Sequence, residues 1–156
     1  MPLHTSVIVF SCLAPASIKA SIVLLDPILR DPRQHFSKAR QFFEKVPEPD
    51  FPNAIKEAVS ALEAATKNLF PTNQKDFEKI IKSIKDASGE SIPPTIINGL
   101  LAPYRFRGAG HAVAHGGATG GQATAAVAEW AMTVVAASII YLKDIAQSLD
   151  VEPPPF

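Results

Sequence analysis

Apolar residues recur along this chain at the spacing of helices, and prolines and glycines separate the periodic segments. The first such segment, Asp31 to Lys45, carries a one-sided apolar stripe and ends at a proline-rich turn. Asp50 followed by Pro52 is typical of an N-cap and a first-turn proline. A second helix is therefore predicted from there to about Phe70.

Three further helices are predicted in the second half of the chain. The third, which Ala87-Ser88-Gly89 should end, has its apolar stripe at Phe77, Ile80, Ile81 and Ile84. A short fourth helix over Ile96 to Leu101 should begin after Ser91 and end at Pro103. The last, from about Thr124 to Leu149, is apolar on most sides, which indicates burial on most sides. We interpret it as the central helix of the bundle, with part of its surface open to a partner chain.

The elements together predict an all-α protein, an antiparallel bundle of about four to five helices with a long buried C-terminal helix. Residues 31–149 are expected to form this domain. Residues 1–30 are expected to be an extra apolar segment packed on the bundle, and residues 150–156 a proline-rich tail. On the last helix, Trp130 and Tyr141 are expected in the core.

The composition excludes several classes of protein. Hydrophobic residues make up 47% of the chain and charged residues 19%, which excludes disorder over the whole length. The formal net charge is zero, so contact with RNA must come from a local patch, and a membrane-surface protein is not expected. The single cysteine, Cys12, excludes a cysteine-based zinc site and fits a cytoplasmic protein. The longest strongly apolar run, Trp130 to Leu142, is too short to cross a membrane, and Met1 to Thr5 lacks the basic residues of a secretory signal.

The segment before the last helix concentrates the chemistry of the chain. Arginines supply fixed positive charge, histidines exchange protons near neutral pH, and glycines let a ligand approach the backbone. No acidic residue lies between Glu90 and Glu129, so this segment is locally basic. Arginine with histidine suits phosphodiester chemistry. The candidate catalytic residues are Arg105, His111 and His115, and the candidate phosphate-binding residues are Arg107, Gly116 and Gly117.

Other interpretations of the segment are weaker. The glycine run lacks the lysine and hydroxyl residue of a P-loop. His111 and His115 could share one helix face, but no third metal ligand is close in sequence, so no metal or other cofactor is expected. Ser91 has no evident histidine and acid partners for hydrolase chemistry. The remaining alternative is structural: the glycines let the backbone turn, and the histidines satisfy carbonyl groups.

The pattern of several short motifs resembles a known family. The chain is similar over roughly Asp31 to Ile145 to the C-terminal domain of bacterial abortive-infection proteins, which is related to the HEPN superfamily. The residues that carry this resemblance are Asn53-Ala54-Ile55, Ala61-Leu62-Glu63, Tyr104-Arg105, His115-Gly116, Ala128-Glu129, Ala136-Ala137 and Tyr141-Leu142. The resemblance implies an all-helical domain in phage defence or a toxin–antitoxin system. It also implies a homodimer that cleaves RNA without a metal ion, and an antitoxin or defence protein as partner.

The resemblance leaves two candidates for the catalytic histidine, His111 and His115. Five residues separate Arg105 from His111, which fits the HEPN arginine–histidine signature, although Phe106 stands where a polar residue is expected. The pair His115-Gly116 fits the His-Gly of the abortive-infection domain better. Either histidine could therefore be the general base or acid, with Arg105 or Arg107 on the phosphate. The alternative function is a non-catalytic helical dimerisation or interaction module, whose basic loop binds an anionic ligand or RNA.

Overall fold

A computed structural model describes residues 25–89, 92–109 and 123–149 of the chain. These residues form a bundle of five α-helices and contain no strand, which confirms the all-α prediction. A 3₁₀ turn, Pro27–Leu29, precedes the first helix. The helices are α1 Arg30–Phe43, α2 Phe51–Leu69, α3 Phe77–Ala87, α4 Pro94–Gly108 and α5 Ala125–Ser148. Residues 1–24 of the expected apolar N-terminal segment lie outside the described residues, as do Ser91 and the proline-rich tail.

Three helices begin at side-chain caps. Asp50 Oδ1 accepts a hydrogen bond from the Asn53 amide at 3.1 Å, as its position before Pro52 predicts. The carboxylate of Asp76 caps α3 in the same way, and the hydroxyl of Thr124 caps α5. At the other end of α3, Gly89 has a φ of 63°, a left-handed conformation that favours glycine and stops the helix where the sequence predicts.

The first two helices are antiparallel. The Asn68 side chain near the end of α2 donates a hydrogen bond to the Ile28 carbonyl just before α1, at 2.7 Å. At the opposite end, the rings of Phe43 and Phe51 lie 5.6 Å apart across the turn. The fifth helix lies along α2 and runs in the same direction. This direction follows from a small apolar cluster that the first turns of both helices share.

The central position in the bundle belongs to α2 rather than to α5. The second helix contacts every other described helix and the 3₁₀ turn, because its wide buried face is rich in alanine, which permits close approach. The long C-terminal helix is buried along one face against α2. The buried residues of α2 are Ala54, Ile55, Ala58, Val59, Ala61, Leu62, Ala65, Thr66 and Leu69. Those of α5 are Ala128, Ala131, Val135, Ala136, Ser138, Ile139, Leu142 and Ala146.

The expectation that Pro103 ends the fourth helix is wrong. The fourth helix continues through Pro103 to Gly108, so the two candidate arginines lie on a helix and not in the glycine-rich loop. A proline inside a helix lacks one backbone donor and costs about 3 kcal/mol. Pro103 is buried together with Leu100 and Leu101, and this burial offsets the local cost.

The expectation that Trp130 is a core residue is also wrong. Its side chain is 41% exposed on the outer side of α5, so the apolar surface of this helix extends beyond what the bundle covers. Tyr141 is half-buried and packs at the edge of the main core. The outer side of α5 is therefore apolar and partly accessible in the described part of the chain.

Candidate functional site

The last two turns of α4 carry both candidate arginines, and they point to different neighbours. Residues two positions apart on a helix are separated by about 200° around its axis. Arg105 accordingly faces α3, and Arg107 faces α2. The structure therefore does not bring the two guanidinium groups together on one side of α4.

Arg105 forms an exposed ion pair with Glu78 in the first turn of α3. Its Nε lies 2.8 Å from Glu78 Oε1, and the side chains are 51% and 45% exposed. The hydrogen bond to Glu78 raises the pKa of the Arg105 guanidinium. Like any arginine, Arg105 is a permanent cation, suited to holding an anion and not to moving a proton.

Arg107 forms a more buried, bidentate pair with Glu63 in the middle of α2. Its Nη1 and Nη2 donate hydrogen bonds to the two carboxylate oxygens at 2.8 and 3.1 Å. Both side chains are only about a quarter exposed, and the guanidinium carbon lies 5.2 Å from the centre of the Tyr104 ring. This arrangement fixes the end of α4 against α2.

Aromatic contacts hold the same turns of α4 from both sides. The ring of Tyr104 lies 5.0 Å from that of Phe77 at the start of α3. The ring of Phe106 meets Trp130 of α5 edge-on at 6.1 Å. The position of Phe106, where the HEPN signature has a polar residue, is thus used for packing against α5.

The remaining candidate residues lie outside the described part of the chain. These are His111, His115, Gly116 and Gly117. Their segment begins directly after α4, one turn beyond Arg105. Within the described residues, one histidine has an acidic partner that sequence reasoning missed: His35 Nδ1 of α1 lies 2.7 Å from Glu57 Oε2 of α2. This contact joins two neighbouring helices, α1 and α2.

A second feature that sequence reasoning missed is a groove between α3 and α4. Its volume is about 390 Å³, and it is bordered by Lys79, Lys82, Lys85 and Arg105, with Glu78 at one end and Ile81, Ile97 and Leu101 beneath. The spacing of the lysines at every third position of α3 was visible in the sequence. Their proximity to Arg105 was not, because it depends on how α4 packs.

One of the described helices is long and apolar enough to cross a membrane. The fifth helix continues past Glu129 and Lys143 and is 24 residues long. Its most apolar window of 18 residues has a mean hydropathy of 1.7, and 39% of that window is buried. Length and composition alone therefore permit this helix to cross a membrane. They also fit the core helix of a soluble protein, and α5 packs on α2 in this way.

Comparisons with known proteins do not assign the chain. No family model matches it, and neither a curated protein nor a solved structure is significantly similar to it. The described residues contain no group of three or more histidine, cysteine, aspartate or glutamate side chains that could hold a metal ion. The candidate site is therefore defined by the end of α4 and its neighbours.

Proposed function

We propose that this chain is a HEPN-like helical domain of the abortive-infection type, which binds RNA at the end of α4 and cleaves it without a metal ion. The observation that carries the proposal is the exposed cation Arg105, placed one turn before the segment with His111 and His115. The all-helical bundle and the resemblance of the sequence to this family support the same assignment.

Arg105 is better suited than Arg107 to bind the phosphate. Its ion pair with Glu78 is half exposed, and exposed ion pairs contribute little net free energy. A phosphate can therefore replace Glu78 as the partner of Arg105. Arg107 is held by two hydrogen bonds in a partly buried position, so releasing it would leave Glu63 without its cation.

In this proposal the arginine holds the scissile phosphate and a histidine transfers the proton. Arg105 would neutralise the charge that develops on the phosphate oxygens, since an arginine stays protonated near neutral pH. His111 or His115 would act as general base or acid. The pH dependence of cleavage should then report the histidine, because the arginine does not titrate near neutral pH.

Cleavage and binding of RNA by single variants test this assignment. His111→Ala or His115→Ala should lower the cleavage rate by about 10²- to 10⁴-fold and leave RNA binding nearly unchanged. Arg105→Ala should also weaken binding and lower its salt dependence by about 0.7 in the log–log slope. Arg40→Ala is the matched control, because Arg40 is an exposed arginine of a different helix, α1, and likewise pairs with a glutamate, Glu44.

A wild-type protein that cleaves no RNA contradicts the nuclease, and one that also binds no RNA contradicts the proposed binding site. A chelator should leave the cleavage rate unchanged, as expected for the metal-independent family that the sequence resembles. Loss of cleavage on chelation would contradict the proposed chemistry. Cleavage that depends on His111 but not His115, or the reverse, would decide between the two histidines.

A non-catalytic dimerisation module is the second candidate function. The exposed Trp130, packed against Phe106 beside the candidate site, favours it, because tryptophan is enriched at the centres of protein interfaces. Light scattering at micromolar concentration should then give twice the 16.7 kDa mass of the chain, and Trp130→Ser should return it to the single mass. Lys143→Gln is a control elsewhere on α5. A wild-type monomer contradicts this candidate.

A further inference from the structure

The groove between α3 and α4 carries an unbalanced positive charge. Four cationic side chains and one carboxylate border it, which leaves an excess of three positive charges in a chain with no net charge. Glu78 is paired with Arg105. No carboxylate of the described residues lies within ion-pair distance of Lys79, Lys82 or Lys85. The three ammonium groups are therefore available to an external anion.

The cations form a row that leads toward the candidate catalytic segment. The lysines lie at every third position, so they span about 9 Å along one side of α3. Arg105 continues this row at the start of α3, since α3 and α4 meet there through Phe77 and Tyr104. One turn after Arg105 the chain enters the segment that contains the histidines.

The floor of the groove is apolar and only partly accessible. Ile81 and Leu101 beneath it are 1% and 5% exposed, whereas Ile97 is half-buried, so that some apolar surface remains between the cations. An amphipathic acidic helix would need this surface for its own apolar face. A polyanion needs only regularly placed cations, which the lysines of α3 supply. The regular spacing of the cations therefore favours a nucleic-acid backbone, and an acidic protein is the competing ligand that the test must include.

We propose that the phosphodiester backbone of a single RNA strand lies in this groove, on Lys79, Lys82 and Lys85, and leads the strand to Arg105. This inference rests on the proposed function, because it supplies the binding track for the same substrate. Glu78 occupies the end of the track, and a phosphate displaces it from Arg105. The lysines are binding residues in this scheme, and they take no part in proton transfer.

Binding of an uncleavable strand tests the track apart from the chemistry. The probe is a fluorescent 2′-O-methyl RNA of about 10 nucleotides, whose binding is followed by anisotropy. The triple variant Lys79→Gln, Lys82→Gln, Lys85→Gln should bind about 100-fold more weakly near 0.1 M salt, since it loses three phosphate contacts of about 0.7 log units each. Glu78→Gln should act in the opposite direction and strengthen binding about fivefold.

Salt dependence gives the same count of contacts independently. Four phosphate contacts predict a loss of affinity of about 50-fold between 50 and 200 mM salt, and the single contact left in the triple variant predicts about threefold. The control exchanges two exposed lysines of other helices, Lys38→Gln and Lys67→Gln, and should change affinity by less than the loss of one groove lysine. Far-UV circular dichroism verifies that each variant is folded.

The inference fails if the triple variant binds the probe as tightly as the Lys38/Lys67 control does. It also fails if an oligoglutamate of equal charge displaces the probe as well as unlabelled RNA does, because the groove would then favour an acidic protein. Failure of the proposed nuclease is a separate result. A wild-type protein that binds the probe through the lysines, yet cleaves no RNA, supports the track and contradicts the catalytic assignment.

Discussion

The partly buried pair of Arg107 and Glu63 should be a measurable support of the fold, and a double-mutant cycle can test this. The perturbations are Arg107→Ala, Glu63→Ala and the combination of both. Two hydrogen bonds of 2.8 and 3.1 Å join the guanidinium to the carboxylate, and both side chains are about a quarter exposed. Removing either partner leaves the other charged group partly buried and without its counter-charge.

The magnitude follows from the geometry and the exposure of this pair. Hydrogen bonds to charged groups contribute about 1.5–3 kcal/mol in buried sites, whereas exposed ion pairs contribute about 0.2–1 kcal/mol. A bidentate pair at intermediate exposure should therefore have a coupling free energy of about 1–2 kcal/mol. For a chain of this length, each kcal/mol corresponds to a decrease in Tm of about 2–4 °C.

Urea unfolding followed by tryptophan fluorescence measures this coupling. The chain has one tryptophan, and Trp130 contacts Phe106, the neighbour of Arg107. The control cycle uses Arg40 and Glu44, an exposed pair one helical turn apart whose Nη2 and Oε1 atoms lie 3.4 Å from each other. Its coupling should be about 0.3–0.5 kcal/mol. A coupling at Arg107–Glu63 no larger than this control would refute the reasoning.

Three further predictions concern stability. Arg105→Ala should leave the urea midpoint of unfolding unchanged within error, because its pair with Glu78 is exposed; a shift as large as that of Arg107→Ala would contradict the distinction between the two arginines. Asp50→Ala should lower the free energy of unfolding by about 1 kcal/mol through loss of the α2 cap, while the exposed Asp86→Ala should change it little. Leu62→Ala should lower it by about 2–5 kcal/mol, since this side chain is fully buried in α2, and calorimetry that found less than 1 kcal/mol would place Leu62 outside the core.

The features that could be predicted from sequence depend on residues close together in the chain. The cap Asp50 and the stop at Gly89 act within one helical turn, and the structure confirms them. The one-sided stripe of α3 is likewise a local pattern, and its four apolar residues are buried. Local rules of this kind give the number of the described helices and the approximate bounds of all of them except α4.

The features that could not be predicted depend on packing between distant segments. Trp130 lies on an apolar helix, but its burial depends on how many neighbours surround α5, and the bundle covers only one side. The carboxylate partners of Arg105 and Arg107 come from positions 27 and 44 residues earlier. A segment without acidic residues in its own sequence is therefore neutralised in part by glutamates of other helices.

The incorrect boundary at Pro103 had a consequence for the candidate site. In a loop, Arg105 and Arg107 are interchangeable as phosphate ligands, and sequence reasoning accordingly treated them as alternatives. On a helix, the rotation of about 100° per residue places them on opposite sides, so that only one can face a given ligand. Burial then separates their roles, because Arg107 is held by Glu63 and Tyr104 while Arg105 stays exposed beside the lysines of α3. The helix that the proline was expected to end is therefore what distinguishes the arginine that stabilises the fold from the arginine that is open to a ligand.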